Sequence, residues 1–202
     1  MSLPALSPDV ERPLHVVSPA MRIDEPRARA AVTELLRALG RDVTREQLSD
    51  TPRRVVDGLI EMLVPQDFAM TTFPNDEEYS DLVLVRGIPF TSLCAHHLLP
   101  FHGTADVGYL PGDRLIGLSK LARIVDLYAR DLQVQKRMTV QIADHLERQL
   151  RPDGVGVVLR AEHLCMSMRG ARAVGATTET SVFRGAVAED DRVLRRFEVS
   201  RA

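Results

Sequence analysis

Residues 104–118 read TADVGYLPGDRLIGL, and their alternation predicts one strand of a hairpin. Ala105, Val107 and Tyr109 fall on one side of an extended chain, because successive strand side chains point to opposite faces. The Pro-Gly-Asp sequence at 111–113 is typical of a turn. The stretch therefore predicts a half-buried strand that belongs to a larger sheet.

Helices and strands alternate in groups on either side of this strand. Four segments carry apolar residues at helical spacing and are predicted to be helices: 24–40, 49–63, 118–132 and 134–150. Four others are predicted to be strands: 81–90, broken by Gly87 and Pro89, 155–170, 176–187 and 192–200. This order predicts an α+β fold, with helices on one face of a mostly antiparallel sheet.

The helix ends carry capping signals. Pro26 suits the first turn of the first helix, and Gly40 suits a left-handed stop after it. Thr51 is predicted to cap the second helix, with Val55 among the residues that face a core. Ser119 is predicted at or near the cap of the third helix.

Composition excludes several classes of partner. The chain has 202 residues, 45% of them apolar and 27% charged, with a net charge of −2. It therefore lacks the basic field that nucleic acid or an anionic membrane surface attracts, and it has no apolar run of transmembrane length. Residues 1–25 lack the order of a signal peptide and are predicted to be a mobile arm. We expect a cytoplasmic protein without nucleic acid or membrane partners.

The two cysteines each lie close to a histidine. Cys94 precedes His97 by three residues in the stretch CAHH, and His163 precedes Cys165 by two. Residues 155–170 are predicted to be one long strand, which places His163 and Cys165 on the same face. Two thiolates and an imidazole suit zinc and leave a fourth position for water. Spacing alone also allows each thiol to be a small buried hydrophobic group, and it does not bring Cys94 and Cys165 together.

Six motifs resemble those of GTP cyclohydrolase I in order and spacing: TPRRVV (51–56), SLCAHHLLPFHG (92–103), GLSKLARIV (117–125), LQVQKRMTVQIA (132–143), HLCMSMRG (163–170) and ATTETSVF (176–183). The resemblance spans roughly residues 28–200. It implies a tunnelling fold (T-fold), in which subunits join their sheets into a barrel within a toroidal homodecamer that has its sites at subunit interfaces. It divides the chain into the arm at 1–25, a helical segment at 26–65 and a T-fold catalytic domain at 66–202.

The resemblance also implies an activity and a cofactor. Members of this family open the imidazole ring of GTP with loss of formate and form 7,8-dihydroneopterin triphosphate. Carried over by position, Cys94, His97 and Cys165 are expected to bind Zn²⁺, and His96 and His163 to transfer protons. The expected substrate contacts, to a purine-type nucleotide, are Ser119, Lys120, Arg123, Gln135, Lys136, Arg169 and Arg54.

Three positions depart from the family pattern. Ala95 and Lys136 each replace a glutamate, and Asp57 replaces a lysine near the triphosphate. Lys136 offers only hydrogen-bond donors, so it cannot accept from the guanine edge as a carboxylate does. Three alternatives follow: a GTP cyclohydrolase I, a divergent paralogue that hydrolyses another purine-like or azole ring, and a catalytically silent zinc-stabilised subunit.

Overall fold

The computed structural model of the chain describes residues 14–16 and 22–198. Within these residues the strands are β1 (Leu14–Val16), β2 (Phe68–Met70), β3 (Thr72–Pro74), β4 (Val83–Cys94), β5 (Pro100–Leu110), β6 (Arg114–Ile116), β7 (Leu132–Gln133), β8 (Gly154–His163) and β9 (Thr177–Gly185). The helices are α1 (Glu25–Ala38), α2 (Glu46–Ser49), α3 (Thr51–Leu63), α4 (Leu118–Ala129), α5 (Gln135–Leu150), α6 (Leu164–Ser167), α7 (Ala186–Glu189) and α8 (Asp191–Glu198). Most of the predicted arm lies outside the described residues, and its mobility stays a prediction.

A five-stranded sheet in the order β7-β4-β5-β8-β9 forms the centre of the fold. Strands β4, β5, β8 and β9 pair antiparallel, and the short β7 pairs parallel with β4. The predicted alternation in β5 is confirmed, because Ala105, Val107 and Tyr109 are all buried. The α+β class is therefore confirmed.

Two helices cover one face of this sheet and form the main core with it. Val134, Met138, Ile142, Leu146 and Leu150 were predicted to share one side of segment 134–150. The last four are buried on α5, whereas Val134, the residue before the helix, is half-buried. These four belong to the same apolar cluster as the buried apolar residues of β5 and α4 and as Val155, Val157, Leu159 and Ala161 of β8. This packing holds the N-terminal end of α5 against the sheet, where Gln135 begins the helix.

Strand β4 continues through the predicted break at Gly87 and Pro89, so that prediction is wrong. A register shift against β5 absorbs the irregularity between Val85 and Ile88, and Gly87 adopts a positive φ of 64° there. The N–H of Gly87 donates to the buried carboxylate of Asp106 at 2.8 Å. Because the strand resumes after this bulge, it carries the chain as far as Cys94.

The segment 192–200 was predicted to be a strand, but its described part belongs to helix α8, so that prediction is wrong. Phe197 packs on the second face of the sheet, where β-carbons built on Gly108 and Gly156 would lie 3.0 and 2.3 Å from its ring. Val158 and Val187 complete this smaller cluster. The helical period places Val193, Leu194 and Phe197 together, which a strand would not do.

The helix ends follow local capping chemistry with one exception. The carboxylate of Asp24 accepts from a backbone N–H at the start of α1, and Gly40 has the predicted positive φ of 73° after it. Helix α3 begins at Thr51, so the prediction that Thr51 is its cap is wrong. Asp50 is the flanking residue, and its carboxylate binds Arg53 at 2.6 Å. Helix α2 ends at Ser49, so Asp50 is the single residue between α2 and α3.

Apolar side chains remain uncovered on the N-terminal helices. None of the described residues of helix α1 is buried, and Leu35 on this helix and Leu39 directly after it are 57% and 63% exposed. Val55 and Val56 were both predicted to face the core; Val56 is buried, but Val55 is exposed. Helices α1 and α3 therefore present apolar side chains that the described residues of the chain do not cover.

Candidate metal centre and active site

The loop after β4 folds His97 back over Cys94. The backbone N–H groups of His97 and Leu98 both donate to the carbonyl of Cys94, at 3.3 and 2.9 Å, and Leu98 has a positive φ of 55°. This tight turn leaves 3.6 Å between Cys94 Sγ and His97 Nδ1. Local geometry therefore brings the first two predicted ligands together.

Cys165 reaches the same place by a different route from the predicted one. Strand β8 ends at His163, and Cys165 lies on the one-turn helix α6, so the prediction that residues 155–170 form one strand is wrong. The turn is closed by the N–H of Met168, which donates to the carbonyl of Leu164 at 3.0 Å. The ligand atoms of Cys94, His97 and Cys165 nevertheless lie within 4.8 Å of one another.

The donor set fits a zinc ion. In a tetrahedral site with bonds of 2.0–2.3 Å, neighbouring ligand atoms are about 3.3–3.8 Å apart, and the Cys94–His97 separation of 3.6 Å falls in this range. Burial and the adjacent Cys94 thiol raise the pKa of Cys165, because a second thiolate beside the first is unfavourable without a cation. A divalent ion would remove this repulsion.

The two predicted proton-transfer histidines flank the three ligands. His96 is exposed, and its Nδ1 lies 3.9 Å from Cys94 Sγ. His163 ends β8, and its ring stacks on that of Phe101 with centroids 4.6 Å apart and planes 2° from parallel. Burial lowers the pKa of His163 below its usual range. Of these two histidines, His96 therefore faces solvent and His163 is held in place by its neighbours.

Gln135 binds His163 from the first turn of α5. Its Oε1 lies 2.7 Å from His163 Nε2, and only 3% of the residue is exposed. Its amide nitrogen donates to the carbonyls of Leu159 and Thr178 at 3.0 and 2.9 Å. Gln135 was predicted to contact the substrate. In the structure its side chain makes hydrogen bonds to other residues of the same chain. No sequence signal identified Phe101 or Gln135 as partners of His163.

The predicted phosphate-side residues lie on three elements. Ser119, Lys120 and Arg123 occupy the first turns of α4, where Ser119 and Arg123 are exposed and Lys120 is half-buried. Helix α4 begins directly after Gly117, its cap, and Ser119 is its second residue, near the cap as predicted. Arg169 follows α6, and its charge opposes in small part the rise in the pKa of Cys165 that burial and the Cys94 thiol cause. Arg54 lies on α3 and donates to Asp50 at 2.9 Å.

The profile of the GTP cyclohydrolase I family matches residues 28–200. The chain belongs to this family. The GTP cyclohydrolase 1 of Mycobacteroides abscessus is 54% identical over 174 residues, which are 83% of this chain and 84% of that protein. The GTP cyclohydrolase 1 of Mycobacterium leprae is 53% identical over 175 residues, 83% of this chain and 84% of that protein. A solved archaeosine synthase QueF-Like in the apo form aligns at a TM-score of 0.42 with 18% identity over 52% of this chain and 95% of that one, which is too distant to inform the site.

The departures from the GTP cyclohydrolase I pattern have distinct surroundings. Lys136 is exposed and directly follows Gln135, so it lies one residue from the group that binds His163. Ala95 is half-buried in the turn between two predicted ligands. The carboxylate of Asp57 binds Arg53 at 2.7 Å and Arg29 at 3.4 Å. Asp57 therefore links α3 to α1, a structural contact that the sequence did not predict.

Proposed function

We propose that the chain is a zinc-dependent cyclohydrolase that opens the imidazole ring of GTP, releases formate and yields 7,8-dihydroneopterin triphosphate. The observation that carries the proposal is the convergence of Cys94, His97 and Cys165, the last of which follows His163 by two residues. This arrangement occurs in a chain that is 54% identical over 174 residues to a GTP cyclohydrolase 1.

The three ligands would hold the zinc through two sulfur atoms and one nitrogen. When bound, zinc supplies a Lewis acid that lowers the pKa of a water molecule towards ~7. Cys94 is buried and His97 is exposed, so the site has a protein side and a solvent side. A substrate would therefore approach from the side of the 95–99 loop.

His96 and His163 would move the protons of the reaction. Breaking the two bonds between C8 and the ring nitrogens requires a proton at each leaving nitrogen. Imidazole accepts and donates protons near neutral pH, which suits both histidines to this task. His163 is fixed by Phe101 and Gln135, whereas the exposed His96 can exchange protons with solvent.

The triphosphate would bind at the start of α4. Lys120 and Arg123 are three residues apart on this helix, so both side chains can reach one anion. Among the described residues no side chain caps the N-terminus of α4, and the N–H groups and positive dipole at a helix start favour phosphate. We place Ser119, Arg169 and Arg54 among the further contacts to ribose and phosphate.

The zinc proposal is tested by metal analysis and formate release. Wild-type protein purified with zinc should contain close to one ion per chain and release formate from GTP. Cys165→Ser should lose both the ion and the activity, whereas Met168→Ala, an exposed neighbour on the same segment, should keep both. Full zinc content in Cys165→Ser would contradict the ligand assignment.

A second candidate function follows from Lys136. Its exposed ammonium stands beside Gln135, where the family pattern has a carboxylate that accepts from guanine. An ammonium suits a ring edge that carries acceptors, such as a carbonyl-rich purine or azole. On this alternative the ring-opening chemistry is kept and the preferred heterocycle is different.

A double variant separates the two candidates. Loss of a charge-assisted hydrogen bond costs roughly 1.5–3 kcal/mol, so on the second candidate the two bonds regained in Ala95→Glu with Lys136→Glu should raise GTP turnover at least about 100-fold. Formate release from GTP, guanosine, xanthine-type and azole substrates is the measurement. Rapid GTP turnover by the wild type would refute the second candidate.

We propose that the chain assembles as a homodecamer with active sites at subunit interfaces. Leu35, Leu39, Val55 and Val64 are exposed apolar residues, and a second copy would cover them. Strand β9 is the last strand of its sheet, and an edge strand is a natural pairing site for another chain. Light scattering should report ten subunits, and a monomer at micromolar concentration would refute the proposal.

We further propose that the protein works in the cytoplasm. Its two cysteines are free thiols, and the proposed zinc site requires them reduced, as a cytoplasmic environment keeps them. Over the described residues, every helix is too short or too polar to cross a bilayer. Cell fractionation with an antibody against the chain tests the location.

A further inference from the structure

The side chain of Gln135 is fully engaged inside the protein. Its Oε1 lies 2.7 Å from His163 Nε2. Its Nε2 lies 3.0 Å from the carbonyl oxygen of Leu159, 2.9 Å from that of Thr178 and 3.2 Å from Thr180 Oγ1. A buried amide with this set of partners has little freedom to rotate or to turn towards a substrate.

These partners define which end of the amide faces His163. A carbonyl oxygen can only accept a hydrogen bond, so the two carbonyls require the NH₂ group of Gln135 on their side. The oxygen of Gln135 must then face His163, and it too can only accept. His163 Nε2 therefore carries a hydrogen, and in the neutral ring Nδ1 holds the free lone pair.

Two threonines complete the support of this amide. Thr139 Oγ1 donates to the backbone carbonyl of Gln135 at 2.9 Å and lies 2.7 Å from Thr180 Oγ1. Each hydroxyl has one hydrogen, so Thr180 donates to Thr139. The Gln135 amide has two hydrogens for three acceptors, so its longer contact to Thr180, at 3.2 Å, shares a hydrogen with one of the two carbonyls. The hydrogen bonds run in one direction from Gln135 through both threonines back to its own backbone. This closed circuit joins α5 to β9 beneath the imidazole.

We propose that Gln135 is a positioning residue that acts through His163. It selects the tautomer with hydrogen on Nε2 and, together with the Phe101 stack, holds the ring in one orientation, so that Nδ1 is the atom available for proton transfer. The part that concerns proton transfer rests on the proposed function. The tautomer itself is a property of the folded chain and can be measured without activity.

The direct measurement is nitrogen NMR of zinc-loaded protein labelled with ¹⁵N-histidine. His163→Ala identifies the signals of His163 among the six histidines of the chain. We expect the Nε2–H tautomer in the wild type and a mixture of tautomers in Gln135→Leu. An Nδ1–H tautomer in the wild type, or an unchanged tautomer in Gln135→Leu, would overturn the proposal.

Kinetics provide the second measurement. General acid–base catalysis contributes about 10²–10⁴-fold, so loss of the fixed tautomer should lower kcat at least ~10-fold. KM and zinc content should stay within about twofold of the wild type, since a positioning residue does not bind substrate. A raised KM with unchanged kcat would instead identify Gln135 as a substrate contact and overturn the proposal.

A milder pair of variants keeps the test informative if Gln135→Leu does not fold. Thr180→Val removes the hydroxyl that accepts from Gln135 at nearly constant volume, whereas Thr180→Ser keeps it. We expect a lower kcat in Thr180→Val and recovery in Thr180→Ser. Ser181→Ala, on the same strand but exposed, is the matched control. Equal kcat in Thr180→Val and wild type would show that the hydrogen bonds through Thr180 do not hold Gln135 in place, and would overturn that part of the proposal.

Absence of formate release from every purine tested would refute the proposed function. The tautomer measurement would still test the role of Gln135, because it does not depend on activity.

Discussion

Acid should destabilise this protein through one buried histidine outside the proposed site. His145 lies on α5, with its Nδ1 3.1 Å from the hydroxyl of Tyr128 on α4. Its Nε2 is buried and has no hydrogen-bond partner among the described residues. Burial, and to a smaller extent the charge of Arg148, lower the pKa of His145 from 6.5 to about 4.

The sign follows from the depressed pKa. Between pH 6.5 and pH 4, His145 is protonated in the unfolded chain and neutral in the folded chain. The free energy of unfolding therefore falls as the pH falls. With pKa values of 6.5 unfolded and about 4 folded, the contribution lost between pH 7 and pH 4.5 is about 2 kcal/mol. Above pH 7 this contribution is constant.

The assay compares the wild type with His145→Asn, which keeps a polar atom near the Tyr128 hydroxyl but does not titrate. Denaturant unfolding at fixed protomer concentration gives the free energy of unfolding at pH 7 and at pH 4.5 for both proteins. Other acid-sensitive groups, including the proposed zinc ligands, are common to both and cancel in the difference. We expect the wild type to lose about 2 kcal/mol more than the variant. Equal losses would refute the assignment of a neutral buried His145.

Three further predictions concern packing and metal. Gly156→Ala places a methyl group 2.3 Å from the Phe197 ring, so it should lower the free energy of unfolding by about 1–3 kcal/mol, with partial recovery in the double variant with Phe197→Leu. Asp106→Ala removes the partner that binds Arg160 at 2.7 Å and should cost about 3 kcal/mol in denaturant unfolding; an unchanged stability would show that the pair is dispensable. Zinc at 1,000 times its Kd should raise the free energy of unfolding by about 4 kcal/mol, and a chelator, or Cys165→Ser, should remove this gain in thermal melts.

Local patterns in the sequence predicted the elements that carry most of the core. The two-residue period of β5 and the helical period of α5 each place apolar side chains on one side, so burial follows from the pattern alone. The turn that brings His97 to Cys94 is equally local, because three residues separate them. These features can be predicted without knowing which residues pack against them.

The tertiary structure decided the features that depend on a partner. The composition of residues 192–198 alone allowed a strand. They form a helix because Phe197 can then pack on the surface of the sheet that Gly108 and Gly156 leave open. Cys165 joins Cys94 because β5 and β8 pair in a register that sets Phe101 opposite His163, and a helical turn then completes the approach. Gln135 meets His163 only where α5 crosses the ends of β8 and β9. Sequence periodicity records which face of an element is buried, but a contact between distant residues depends on strand register and helix placement, which the whole core determines.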